Sequence, residues 1–197
     1  RSRINGVIIA AESNSNALRF EVIMAMGNCP KYVHVRELVK ESEMLREPHI
    51  KVRKSRSTVL SQVQQRWISS AETFVLATYT DGVNGGADAS NRGGSPGFVK
   101  ATDERTIVFP DYKGNNLYLS LGNIVSNPRA GLLFIQRDTG DVLQVTGEAR
   151  IIWGGDHFPG MGSGPSKHVE IKVLAVIEAL AANPHRMRMV EMSPFNP

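Results

Sequence analysis

A single cysteine stands among the 197 residues, so no intrachain disulfide can form. A reducing, cytoplasmic compartment is expected on that ground. No apolar run approaches the roughly 20 residues that span a bilayer, which predicts no membrane insertion. Neither a Gly-x-Gly-x-x-Gly fingerprint nor a Walker loop occurs, so Rossmann and P-loop sites have no support. The opening Arg1-Ser2-Arg3-Ile4-Asn5-Gly6 has no initiator methionine and no signal-peptide zoning, and reads as the inside of a longer chain.

What is present is mildly basic, with a formal net charge of +4. The densest run, Lys51, Arg53, Lys54 and Arg56, has no interleaved aromatics. It reads as a solvated linker, and no nucleic-acid partner is expected. A phosphate-bearing small ligand suits the same charge. The histidines, His34, His49, His157, His168 and His185, show no metal-ligand spacing, so no metal is expected. Cys29 lies near Lys31 and His34 in sequence, which leaves both a nucleophile and a buried structural thiol open. No catalytic residue is assigned. Met187, Met189 and Met192 read as a packing strip.

Apolar periodicity predicts strands over 3–9 and 18–26, a short helix over 31–40 and a charged linker over 41–57. Val59, Leu60, Val63 and Trp67 recur at helical spacing, with Thr58 as the expected cap. Strands are then expected over 73–79, 87–90, 98–101 and 106–109, and a helix over 116–126. Further strands follow over 131–136, 142–153 and 168–176, with a Gly/Pro-rich loop at 154–166. Many short strands at hairpin spacing, with few helices, predict a mainly β, antiparallel barrel.

Weak self-similarity runs through the chain. Arg3-Ile4-Asn5-Gly6 matches Gln144-Val145-Thr146-Gly147, each followed by an Ile-Ile pair, and Arg19-Phe20-Glu21-Val22 matches His168-Val169-Glu170-Ile171. On this basis 1–40 is expected to hold the closing strands and end-helix of an incomplete first barrel, 41–57 the linker, and 58–197 the second barrel. Its apolar face predicts that the front segment packs against that barrel.

Two motifs carry a resemblance. Asp88-Ala89-Ser90-Asn91-Arg92-Gly93-Gly94-Ser95-Pro96-Gly97-Phe98-Val99 is one, and Phe109-Pro110-Asp111-Tyr112-Lys113-Gly114-Asn115-Asn116 the other. Followed by Leu121-Gly122-Asn123-Ile124 and Asn127-Pro128-Arg129-Ala130-Gly131, they resemble the pyridoxamine 5'-phosphate oxidase-like, FMN-binding split-barrel family over roughly residues 60–176. Gly27-Asn28-Cys29-Pro30-Lys31-Tyr32 resembles an end-helix motif of its relatives. The resemblance implies a split β-barrel with FMN between two barrels, and the internal repeat adds the alternative of a tandem pseudo-dimer truncated at its N-terminus. A homodimer or tandem pseudo-dimer, and a small-molecule substrate or electron donor, are implied with it. The implied cofactor-binding positions are Ser90, Asn91, Arg92, Gly93, Asp111, Lys113, Asn115 and Asn116.

The chemistry of those residues points the same way. Lys113 precedes a predicted helix start, where free N–H groups and a cation would favour a phosphate. Asn115 or Asn116 would donate to it, and Arg92 is a further candidate partner. The reading is an FMN flavoprotein of oxidoreductase type. A non-enzymatic flavin-binding, sensing or scaffold barrel, or the same barrel with deazaflavin or haem, is the alternative. The C-terminal arginine motif with which true pyridoxamine phosphate oxidases hold their substrate is not recognisable, which argues against vitamin B6 as substrate.

Overall fold

Alternating burial along the longest strands shows where the core lies. In a computed structural model the described residues are 2–10, 16–27, 29–39, 52–82, 85–114, 117–154 and 166–196. The elements are β1 (Ser2–Ile8), β2 (Phe20–Gly27), β3 (Val35–Leu38), β4 (Arg53–Ser57), α1 (Gln62–Ser70), β5 (Thr73–Thr80) and β6 (Gly86–Gly93). They continue with β7 (Lys100–Ala101), β8 (Thr106–Pro110), α2 (Leu119–Ser126), β9 (Arg129–Ile135), β10 (Val142–Trp153), β11 (Lys167–Leu180) and β12 (Met187–Glu191). Eight strands form one antiparallel sheet in the order β6-β5-β9-β10-β11-β8-β7, with β4 also paired to β11. The fold is a split β-barrel.

Inward-facing residues fill it. Phe74 is the hub, with its ring 5.0 Å from Phe109, 5.2 Å from Phe134 and 5.9 Å from Phe98. Leu76, Leu132, Leu143, Val145, Ile171 and Val173 surround these rings. Each such side chain stabilises by about 1.5–3 kcal/mol when buried.

Three local expectations are corrected. Residues 53–57 are not linker, because β11 extends past its register with β8 and offers an edge at Val176 to Leu180, which β4 takes. Its exposed Arg53, Lys54 and Arg56 suit an edge strand, where charge discourages further pairing. Within that region, residues 41–51 lie outside the described residues. The helix expected over 31–40 gives way to β3, whose backbone groups pair with β12. A single short helix would be marginal without that packing. Helix α1 is capped by Ser61 rather than Thr58, since Ser61 and Gln64 form a reciprocal capping box.

The front segment forms its own two-stranded sheet, β1–β2, whose register repeats that of β10–β11. The pairs Ile4↔Ala25, Gly6↔Val22 and Ile8↔Phe20 correspond to Val145↔Val176, Gly147↔Val173 and Ala149↔Ile171. Both hairpins break register at the glycine, leaving Ile23 and Leu174 as the extra residues. In both, a Cβ on the glycine would strike the facing carbonyl oxygen, that of Glu21 or of Lys172. The sequence match of Gly6 with Gly147 therefore coincides with the structural one. The second match is displaced by two residues, because Phe20, not Val22, occupies the place of Ile171. Burial differs: Val145, Ala149, Ile171, Val173 and Val176 are core residues, whereas Ile4, Ile8, Phe20 and Val22 are exposed. The half-buried strand expected over 18–26 is thus mostly exposed.

Equivalent positions should then respond differently to the same change. Val173→Asp is expected to cost more than about 3 kcal/mol, as an unpaired charge in the core. Val22→Asp should stay within about 0.5 kcal/mol of wild type. Urea unfolding midpoints of the two variants check both.

Candidate functional site

A strand presents alternate residues to one face, so Asp88, Ser90 and Arg92 of β6 share a side. That side carries a polar network. Asp88 is 4% exposed and forms an ion pair with Arg3 of β1. Ser90 Oγ donates to Asp88 Oδ2 at 2.9 Å, and Ser120 Oγ of α2 donates to the same oxygen. Arg3 also donates to Ser90 Oγ at 2.7 Å and to the Ala89 carbonyl at 3.0 Å, while Asn5 Nδ2 donates to the Ala87 carbonyl at 2.7 Å. The polar face of the front hairpin is thereby fastened along β6.

Further along, Arg92 pairs with Asp111 at 3.1 Å, and Lys167 reaches the other oxygen of Asp111 at 3.7 Å. Asp111 is thus a carboxylate between two cations. Arg92 Nε is buried and has no hydrogen bond among the described residues.

The segment after β2 closes the arrangement. Tyr32 donates from its hydroxyl to the Lys113 carbonyl at 3.0 Å, and its ring lies 5.3 Å from that of Tyr112. Behind it His34 Nδ1 accepts from the Ser193 backbone N–H at 3.0 Å, and Arg36 pairs with Glu72 at 2.8 Å. Burial, then the charges of Cys29 and Asp111, push the Tyr32 hydroxyl above its ordinary range. Burial and the neighbouring Tyr32 do the same to Tyr112. Both phenols stay protonated at neutral pH.

Between these parts lies a cavity of about 160 Å3, partly open to solvent. Five of the expected positions, Ser90, Asn91, Arg92, Gly93 and Asp111, line it. Asn91 does so while its Oδ1 accepts from Thr73 Oγ1 at 2.9 Å. The Lys113 side chain is exposed and is not part of the lining. Nor does Lys113 stand at a helix start, since α2 begins at Leu119 after a left-handed Tyr118. Asn115 and Asn116 lie outside the described residues. The sequence reading missed Arg3, Lys31, Tyr32 and Tyr112, all of which line the cavity or its rim. Lys31 and Tyr32 sat within a motif assigned to an end-helix. The alternation of Asp88, Ser90 and Arg92 was a usable signal for a shared face.

Among the described residues, no group of histidine, cysteine and carboxylate side chains could hold a metal ion. No helix among them is long and apolar enough to cross a membrane.

The Arg3–Asp88 pair is expected to matter for stability because both side chains are largely buried. Arg3→Ala should cost roughly 2–3 kcal/mol, allowing for the partial exposure of the guanidinium. Arg150→Ala, which breaks the exposed pair with Glu170, should lower stability far less, because solvent screens that pair. Thermal unfolding of both variants tests the contrast.

Among solved structures, the chain is similar to HupZ of Group A Streptococcus, at 15% identity over 68% of this chain and 96% of that one, with a TM-score of 0.45. It is similar also to an FMN-binding protein from Syntrophomonas wolfei, at 11% identity over 59% and 84%, with a TM-score of 0.43. A third is the FAD binding protein from Mycobacterium smegmatis, at 14% identity over 68% and 100%, with a TM-score of 0.39. No curated protein matches the chain in sequence. The family model described as pyridoxamine 5'-phosphate oxidase matches residues 60–190, which hold α1, the barrel strands from β5 to β11 and most of the cavity wall. By that match the chain belongs to the pyridoxamine 5'-phosphate oxidase family.

Proposed function

We propose that the chain binds FMN in the cavity between the front segment and the barrel, and acts as a flavin-dependent oxidoreductase on a small-molecule substrate or electron donor. The observation that carries the reading is the charge of the cavity. Arg3, Lys31 and Arg92 line it; Arg3 is paired with the buried Asp88, which leaves Lys31 and Arg92 against one carboxylate, Asp111. A buried donor without an acceptor, such as Arg92 Nε, costs about 1–3 kcal/mol, and an anionic oxygen placed beside it would remove that cost. Phe98, Tyr112, Leu117 and Leu121 supply an apolar, partly aromatic lining suited to a flat ring. Family membership supports the same reading.

The residues then divide the work. Arg92 is the partner of the phosphate, and Asp111 with Lys167 holds its guanidinium in place. Ser90, Asn91 and Gly93 border the ligand, Lys113 stands at the rim, and Asn115 and Asn116 are proposed as further donors. The flavin, when bound, supplies hydride and electron chemistry. This chain's residues bind it, orient it and shield it from water.

We infer also that 1–40 is the closing part of a first barrel and 58–197 a second, flavin-binding one. The repeated glycine-broken hairpin supports the duplication. Because the front segment lines the cavity within one chain, a tandem pseudo-dimer is favoured over a homodimer.

Fluorescence titration with FMN tests the reading. Arg92→Ala should weaken binding by about tenfold to a hundredfold, from a charge-assisted contact of about 1.5–3 kcal/mol. Lys113→Ala should weaken it by less than Arg92→Ala does, since its cation stands outside the lining. A folded Arg92→Ala chain with unchanged affinity would remove Arg92 from the site.

A further inference from the structure

Tyr32 stands at φ 62°, a left-handed conformation that residues other than glycine seldom adopt. Three separate contacts hold it there. Its hydroxyl donates to the Lys113 carbonyl at 3.0 Å. Its ring rests 5.3 Å from that of Tyr112, tilted by 41°. Its own carbonyl oxygen sits so close over Gly93 that any Cβ at that position would collide with it. The glycine of the Arg92-Gly93 pair is therefore explained by the front segment, which could not approach β6 over a larger residue. A residue held in a rare conformation by several independent contacts, at the edge of a cavity, is a mark of a working site.

The consequence is geometric. Tyr32 and Lys31 are brought into the lining of the same cavity as Arg92 and Asp111, and both remain partly exposed. A segment that served only to dock the hairpin would gain by burying its aromatic ring fully. Tyr32 instead stays partly exposed while lining the cavity. Burial raises the Tyr32 hydroxyl above its ordinary range, and the hydroxyl donates to the Lys113 carbonyl.

We propose that the segment at residues 29–32 is a ligand-holding wall of the site, and that the Tyr32 ring packs against the flat heteroaromatic part of the bound flavin. The proposal rests on the flavin reading above and extends it to a residue outside the barrel. Tyr32 is a binding and positioning residue here, with no proton or electron assigned to it.

The test uses the full chain and FMN itself, with binding followed by flavin fluorescence and folding by thermal melts. Tyr32→Phe keeps the ring and should bind FMN within about threefold of wild type. Tyr32→Leu keeps apolar bulk without aromaticity and should bind roughly tenfold more weakly, with an unchanged melt of the barrel. Tyr32→Ala should weaken binding further. Wild-type binding with an equal affinity in Tyr32→Leu would make the segment a structural strap and overturn this proposal alone. Equal losses in Tyr32→Phe and Tyr32→Leu would assign the effect to the hydroxyl bond and overturn the ring contact. A wild-type chain that takes up no FMN would remove this proposal and the flavin reading together.

Discussion

A carboxylate at 4% exposure in the barrel wall is costly to bury without partners, and Asp88 has three. Arg3 reaches it from β1, Ser90 from its own strand and Ser120 from α2. Those partners lie on three elements far apart in sequence, so satisfying one buried charge fixes their relative positions. The cavity is bounded by these same elements, and its shape follows from that requirement. Asp111 plays a related part at the other end, held by Arg92 and Lys167.

The barrel was largely legible in the sequence because its signals are local. The strand expected at 142–153 coincides with β10, and those expected near 73–79 and 106–109 lie within a residue of β5 and β8. Alternating burial imposes a period of two that survives in the apolar pattern. What was illegible depended on distant partners. Residues 35–38 are a strand only because β12 arrives from the other end of the chain. The basic run at 53–57 carries no apolar alternation, and it pairs because β11 is long enough to leave an edge. The start of α2 was misplaced toward Lys113, since a left-handed Tyr118 is not an ordinary capping residue.

The site shows the same division. Ser90, Asn91, Arg92, Gly93 and Asp111 belong to contiguous motifs and line the cavity. Arg3 and Tyr32 reach it only through the docking of the front segment, which no local pattern encodes. The repeat between Gly6 and Gly147 did carry information of that kind. Each glycine admits a close carbonyl and sets a bulge, so the same residue recurs where the same backbone geometry is needed. The side chains on the corresponding faces are apolar in both hairpins, though those of the front hairpin are exposed.

The proposed function requires that one chain hold one flavin between its front segment and its barrel. Incubation with FMN, followed by gel filtration and an absorption spectrum, tests it directly. The eluted protein should carry flavin at about one molecule per chain, and Arg92→Ala should elute with far less. A wild-type chain that elutes colourless, while folded by circular dichroism, would contradict it.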